Sequence, residues 1–313
     1  MFILSKKILF TIFTILIISS CSKTEIKESM REETPHDNYY QIDEKNHVEV
    51  SGDSINLEFK PIIDDLESKL SDDFIIKQHM YYVIVSNLSE SETDQLINHT
   101  ITAATECLYN DYFEKTPTEV TTIFLFEGDK SYRSWAKKLY DDYDLSRFGY
   151  YKPSERVMLM NISTGSGTLV HEMTHALVRY DFPDIPSWFN EGLGSLYERC
   201  SLYDGKILGY VNWRLPDLKD AIKDGSYTNL KRLLNTSDDE FYGDNSGFNY
   251  AQARYLCMFL QEKGMLRAYY KAFRDNYSDD KTGRKTIEKI YGKDLAELEK
   301  DYLDWVKTLT YND

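Results

Sequence analysis

Five residues, His171-Glu172-Met173-Thr174-His175, constrain this chain more than any other stretch. Two histidines at i and i+4 act together only on a helix, where they lie about 40° apart on one face, one turn above the other. Both imidazoles then reach one metal ion. Glu172, about 100° round from His171, lies close enough to bond a water on that ion. A borderline-soft, redox-inert ion such as zinc suits two neutral imidazoles plus a carboxylate. The flanking pattern agrees with a helix. Leu169, Met173, Ala176, Leu177 and Tyr180 recur at i, i+4, i+7, i+8 and i+11, a core-facing stripe centred away from the histidines. Ser166 or Thr164 is placed to cap its start, and Pro183 and Pro186 force the chain out of helix soon after its end.

A site of this kind needs a third protein ligand and an open fourth position. Two carboxylates are candidates. Asp181 stands where a metzincin places its third ligand, but Val178 occupies the position where that family needs a chain-turning glycine. Glu191 follows Pro186-Ser187-Trp188-Phe189-Asn190 and precedes Gly192-Leu193-Gly194. With Ser187 as N-cap, Glu191 falls in the first or second turn of a second helix. Two antiparallel helices joined by a short loop aim it at the histidine pair, and the two glycines permit close approach.

HEMTH, then fifteen residues, then Glu191 in the setting PSWFNEGL resembles the gluzincins, the thermolysin-like H-E-x-x-H…E zinc metallopeptidases. It is most similar to the bacterial peptidase-MA-like group, which shows H-E-x-x-H-A-L and then P-x-W-x-x-E-G-L. Gly292-Lys293-Asp294-Leu295-Ala296-Glu297-Leu298-Glu299 and Trp305-Val306 look like the C-terminal end of that group, so the likeness runs from about Tyr81 to Leu309. The resemblance implies zinc on His171, His175 and Glu191, with Glu172 as general base on a peptide or protein substrate. It also implies an edge strand just before the active helix that pairs with extended substrate; Val157 to Asn161 is the candidate, with an interior strand as the alternative for the same residues. A further donor to the oxyanion comes from the downstream lobe, with Tyr250 as the candidate. One departure stands out. The aspartate that thermolysin-type enzymes carry four residues after the glutamate, bonded to a ligand histidine, is Ser195 here. Asn190 and Glu198 are the candidates to replace it.

The N-terminus carries an address. Lys6-Lys7 precede an apolar run from Ile8 to Ile18, and Ile18-Ser19-Ser20-Cys21 resembles a bacterial lipobox. The run is short for a membrane span, so residues 1–20 read as a lipoprotein signal peptide and Cys21 as the lipidated end of the mature chain. The expected location is the cell envelope, anchored in the lipid bilayer. Ser22 is not the aspartate of inner-membrane retention, which favours the outer membrane in a Gram-negative cell. Residues 21–54 are polar and aperiodic and read as a tether, with His36 and His47 solvated in it. Loss of Lys6 and Lys7 takes the net charge from −15 to −17, which argues against nucleic acid as a partner. Beyond Cys21, three cysteines remain, so at most one disulfide forms. Cys107 and Cys257 lie in apolar helical stripes and read as buried thiols.

The fold class expected is α+β. Residues 55–200 form the lobe with the metal site: a strand from Tyr81, a helix from Ser89 or Ser91 to about Phe113, and a strand from Val120 to Phe126. A helix from Asp129 to Tyr140 and a strand pair turned at Lys152-Pro153-Ser154-Glu155 precede the His171 helix. Residues 201–313 form a mainly helical lobe after a small hairpin near Asp204-Gly205, with Asp238 to Gly247 as a polar loop and a strong amphipathic helix from Asn249 to Glu262. Three functions fit: zinc-dependent peptide hydrolysis with Glu172 activating a zinc-bound water; a catalytically inactive zinc-binding envelope lipoprotein that serves as a binding or assembly protein; and, against the family likeness, a zinc hydrolase acting on a non-peptide bond.

Overall fold

The structure is a computed structural model and describes residues 57–311. The stretches read as a signal peptide and a tether, with Cys21, His36 and His47, lie outside the described residues.

Helix α1 (Lys60–Lys69) leads into an antiparallel pair, β1 (Ile75–His79) and β2 (Tyr82–Ser86). Helix α2 (Glu90–Leu96) starts from a capping box in which Ser89 accepts from the Glu92 amide and the Glu92 carboxylate accepts from the Ser89 amide. It passes through a π-helical stretch, Ile97–Thr102, into α3 (Ala103–Asp111). The helix expected between Ser89 and Phe113 is thus one run with a wide turn in its middle. There Thr102 Oγ1 bonds back to the Ile97 carbonyl at 2.8 Å, and Ile97, Ile101, Ala104 and Leu108 still reach the core. Next come β3 (Thr121–Phe126), α4 (Asp129–Tyr140), β4 (Gly149–Lys152) and β5 (Val157–Asn161).

The five strands form one sheet in the order β1-β2-β3-β5-β4. The three central strands are parallel and the two flanking ones antiparallel to their neighbours. Every residue of β2, β3 and β5 is buried, as parallel strands covered on both faces require. Val83, Val85, Phe124, Phe126 and Leu159 pack on Leu66 of α1 and on Tyr132 and Ala136 of α4. The alternate residues Tyr82, Ile84, Ile123, Leu125, Met158 and Met160 face the opposite way, into the larger core with Leu108 of α3.

This order corrects one expectation. Val157 to Asn161 is an interior strand, paired with β3 on one side and β4 on the other. The edge on that side is β4. Its hairpin turn folds it outside β5, and the parallel partner of β5 arrives from far back in the sequence, where local pattern gives no sign of it.

A single 3-10 turn (Ile162–Thr164) and Gly165, whose φ of 94° suits glycine, carry the chain from β5 into α5 (Gly167–Asp181). Then follow α6 (Ser187–Leu196) and the hairpin β6 (Cys200–Tyr203) and β7 (Lys206–Gly209). The helices α7 (Leu215–Asp224), α8 (Leu230–Leu233), α9 (Asp238–Phe241), α10 (Ser246–Glu262), α11 (Leu266–Asn276), α12 (Arg284–Tyr291) and α13 (Leu295–Thr308) complete the described chain. One apolar cluster runs from Tyr82 of β2 to Val306 of α13 without a break near residue 200. Cys107 and Cys257 are buried, and these two and Cys200 are free thiols. Among the described residues, no helix is long and apolar enough to cross a membrane.

Candidate metal centre

Helix α5 carries HEMTH as its middle turns. Leu169, Met173, Ala176 and Leu177 sink into the core against the sheet, which turns His171 and His175 toward α6. Helix α6 begins one residue earlier than a Ser187 cap implies: Pro186 is the N-cap and Ser187 the first helical residue, its hydroxyl donating to Asp238. Trp188 and Phe189 are fully buried and insert among the rings of α11, with Phe189 5.1 Å from Tyr269 and Trp188 stacked 6.4 Å from Phe273. That anchorage leaves the next two residues, Asn190 and Glu191, facing α5. The glycines let the helices close. A Cβ on Gly194 would sit 3.0 Å from His175 Cε1, and one on Gly192 would strike the Ala253 carbonyl of α10 at 2.9 Å.

Three ligand-type atoms converge between these helices. His171 Nε2 and His175 Nε2 are 2.8 Å apart, and Glu191 Oε2 lies 3.3 Å from each. A tetrahedral zinc ion with bonds of about 2.0–2.1 Å would hold its ligand atoms about 3.3 Å apart. Glu191 Oε2 is buried yet makes no hydrogen bond of ordinary geometry, the state of a carboxylate oxygen built to meet a cation. The His171–Glu191–His175 group can therefore hold a metal ion.

The protonation chemistry points the same way. Burial disfavours a charged imidazole at His171, but the nearby Glu191 and Glu198 carboxylates outweigh burial and carry it up to about 10. Burial likewise works against the Glu191 carboxylate, and the two imidazoles overcome it, holding the group far below the ordinary range. Two Nε2 atoms 2.8 Å apart require a proton or a cation between them. Glu172, partly buried beside them, is pushed up chiefly by burial, with the histidines pulling it back down.

Each imidazole has its second nitrogen engaged. His175 Nδ1 meets Asn190 Oδ1 at 2.9 Å, and His171 Nδ1 faces Glu198 Oε1 at 3.4 Å. Both residues offered by the sequence in place of an aspartate at 195 thus lie behind a histidine. Ser195 turns inward, its hydroxyl donating to the Glu191 carbonyl. Asp181 is not a ligand. It is buried on the far side of α5, accepting from the Glu114 and Lys115 amides, the Tyr270 hydroxyl and Arg274 Nη1. The end of α5 has turned it away from the histidine face and into this network.

The downstream helices close the site. Tyr250, on α10, is brought to Glu191; burial and then that carboxylate's charge hold its hydroxyl far above the usual phenol range. Tyr242, which the sequence reading missed, donates to Glu191 Oε1 at 2.7 Å. It lies at the end of α9, in the stretch read as a polar loop. Its only local signal is Ser237, which caps α9 by accepting from the Glu240 amide. Also missed were Asn212 and Arg214, both bonded to Glu198. No protein-family model matches this chain, and no curated protein is similar to it in sequence.

Proposed function

We propose that this chain is a zinc-dependent peptidase of the gluzincin type, acting on peptide or protein substrates at the bacterial cell envelope, where a lipid on Cys21 tethers it. The observation that carries this reading is the convergence of His171 Nε2, His175 Nε2 and Glu191 Oε2 beside a partly buried carboxyl at Glu172. A zinc ion held by those three residues supplies Lewis acidity toward a carbonyl oxygen and makes a nearby water more acidic.

The chain's own groups do the rest. Glu172, its carboxyl raised above the ordinary carboxylate range by burial, takes a proton from the attacking water and passes it to the leaving amine as the C–N bond breaks. The hydroxyl of Tyr250 stands at Glu191 and can donate to the developing oxyanion, while that of Tyr242 is spent on Glu191 Oε1. An extended peptide pairs with the outer edge of β4, the strand that ends the sheet on the side of β5. Ser195 in place of aspartate weighs, on sequence, for a non-catalytic zinc protein. Asn190 and Glu198, behind the two histidines, stand where that aspartate's support would be needed, which favours the catalytic reading.

The test is Glu172→Gln. Hydrolysis of a peptide library should fall by about 10²–10⁴-fold, the usual share of a general base. Bound zinc should stay at the wild-type level. Substantial surviving hydrolysis contradicts the role of Glu172.

A further inference from the structure

The two histidines are backed by different chemistry: Asn190 meets His175 Nδ1 at 2.9 Å, and Glu198 faces His171 Nδ1 at 3.4 Å, held there by residues beyond the hairpin. Glu198 follows the end of α6 and is mostly buried, with 17% of its side chain exposed. Both its oxygens are claimed. Arg214 Nη2 donates to Oε1 at 2.9 Å and Arg214 Nε to Oε2 at 3.1 Å, a two-pronged fork, and the Asn212 side-chain amide adds a bond to Oε2 at 3.1 Å.

The fork is itself fixed. The Arg214 guanidinium lies 4.2 Å over the Trp213 ring and 5.2 Å from the Tyr250 ring. The Arg214 amide donates to Asn212 Oδ1, and the Asn212 backbone is bonded through both its N–H and its C=O to the Tyr255 hydroxyl of α10. So a carboxylate reaches His171 Nδ1 through a chain of partners rooted in α10. Arg214 has a second effect. Glu172, Glu191 and Glu198 crowd one buried place, and Arg214 neutralises the one that is not needed for metal or proton.

We infer that Glu198, clamped by the Arg214 fork and the Asn212 amide, is the positioning residue that fixes the His171 imidazole, and that the segment from Glu198 to Arg214 is thereby part of the metal site. This rests on the metal-site reading above. Asn190 serves His175 with a neutral acceptor from within α6 itself. Ser195 serves neither histidine.

The experiment has two arms on the full chain after Cys21. In the metal-free protein, nitrogen-edited NMR follows the imidazole Nδ1–H protons. The His171 proton should be slowly exchanging and strongly downfield, and should move or vanish in Glu198→Gln and Arg214→Met while the His175 proton stays. In the second arm, zinc is titrated against a competing chelator. Affinity should drop about 10–100-fold in Glu198→Gln and Arg214→Met, the usual effect of losing a partner behind a ligand histidine. Arg214→Lys, which keeps the charge without the fork, should fall between these and wild type, and Ser195→Ala should match wild type. Near-UV circular dichroism checks that each variant is folded; if Arg214→Met is not, Arg214→Lys carries the same comparison. Wild-type affinity and an unmoved His171 proton in folded Glu198→Gln overturn the inference. A wild-type protein that shows the Glu198-dependent proton yet takes up no zinc overturns the metal reading and leaves the clamp standing.

Discussion

The two sides of the site are built in opposite ways. On one side, α5 delivers His171, Glu172 and His175 from adjacent turns of a single helix, whose packing stripe orients them. On the other side, Glu191, Glu198, Arg214, Tyr242 and Tyr250 come from α6, the limbs flanking the hairpin, and the ends of α9 and α10. The first side depends on helix periodicity. The second depends on tertiary packing, and above all on α10 lying against α6 where Gly192 admits it. A local device tolerates damage elsewhere in the molecule, whereas an assembled one does not.

The largest separation of the two sides should come at Arg254. This residue is fully buried on α10, and its guanidinium donates to the Ser195 carbonyl at the end of α6 and to the Tyr210 carbonyl beyond the hairpin. It ties together the segments that carry Glu191 and Glu198. Arg254→Met removes a charged donor from the Ser195 carbonyl, which keeps the Glu198 amide, and from the part-buried Tyr210 carbonyl, and should cost about 1–3 kcal/mol of stability by chemical denaturation. Zinc affinity should fall with it, although the nearest bonded atom of Arg254 is a backbone carbonyl. An Arg254→Met protein with wild-type stability would mean that the assembled side is less dependent on α10 than its bonding indicates.

A smaller effect is expected at Tyr242. Its hydroxyl occupies Glu191 Oε1 and so leaves Oε2 to face the histidines. Tyr242→Phe removes one charge-assisted hydrogen bond from a ring that is 48% exposed, and should weaken zinc binding by about 1 kcal/mol, or a few-fold, in a competitive titration. No change would mean that Glu191 is held by α6 alone.

The same division explains what was legible in the sequence. The bounds of α4, α5 and the turn between β4 and β5 follow from glycines, prolines and apolar period, all local signals. Glu191 was within reach because Pro186 and the Trp188-Phe189 anchor set the phase of α6. Asn190 and Glu198 were within reach by nearness to Glu191. Arg214 and Tyr242 were not, since each meets the site through a fold-back of 16 and 51 residues that no spacing encodes. The edge position expected for Val157 to Asn161 failed for the same reason, because β5 pairs with β3 across the whole of α4 and β4. Helix α1 and strand β1 also escaped the sequence reading. Strand β1 is a half-buried edge with weak alternation, and α1 buries little beyond Leu66.

The most direct test of the whole account is metal content by mass spectrometry after zinc reconstitution, on wild type, Glu191→Ala and Asp181→Ala. Asp181, wholly engaged with Tyr270, Arg274 and two backbone amides, serves as the control carboxylate. About one zinc ion per chain is expected in wild type and in folded Asp181→Ala, and little or none in Glu191→Ala. A well-folded wild-type protein that carries no zinc, or a Glu191→Ala protein that keeps its full complement, would contradict the account.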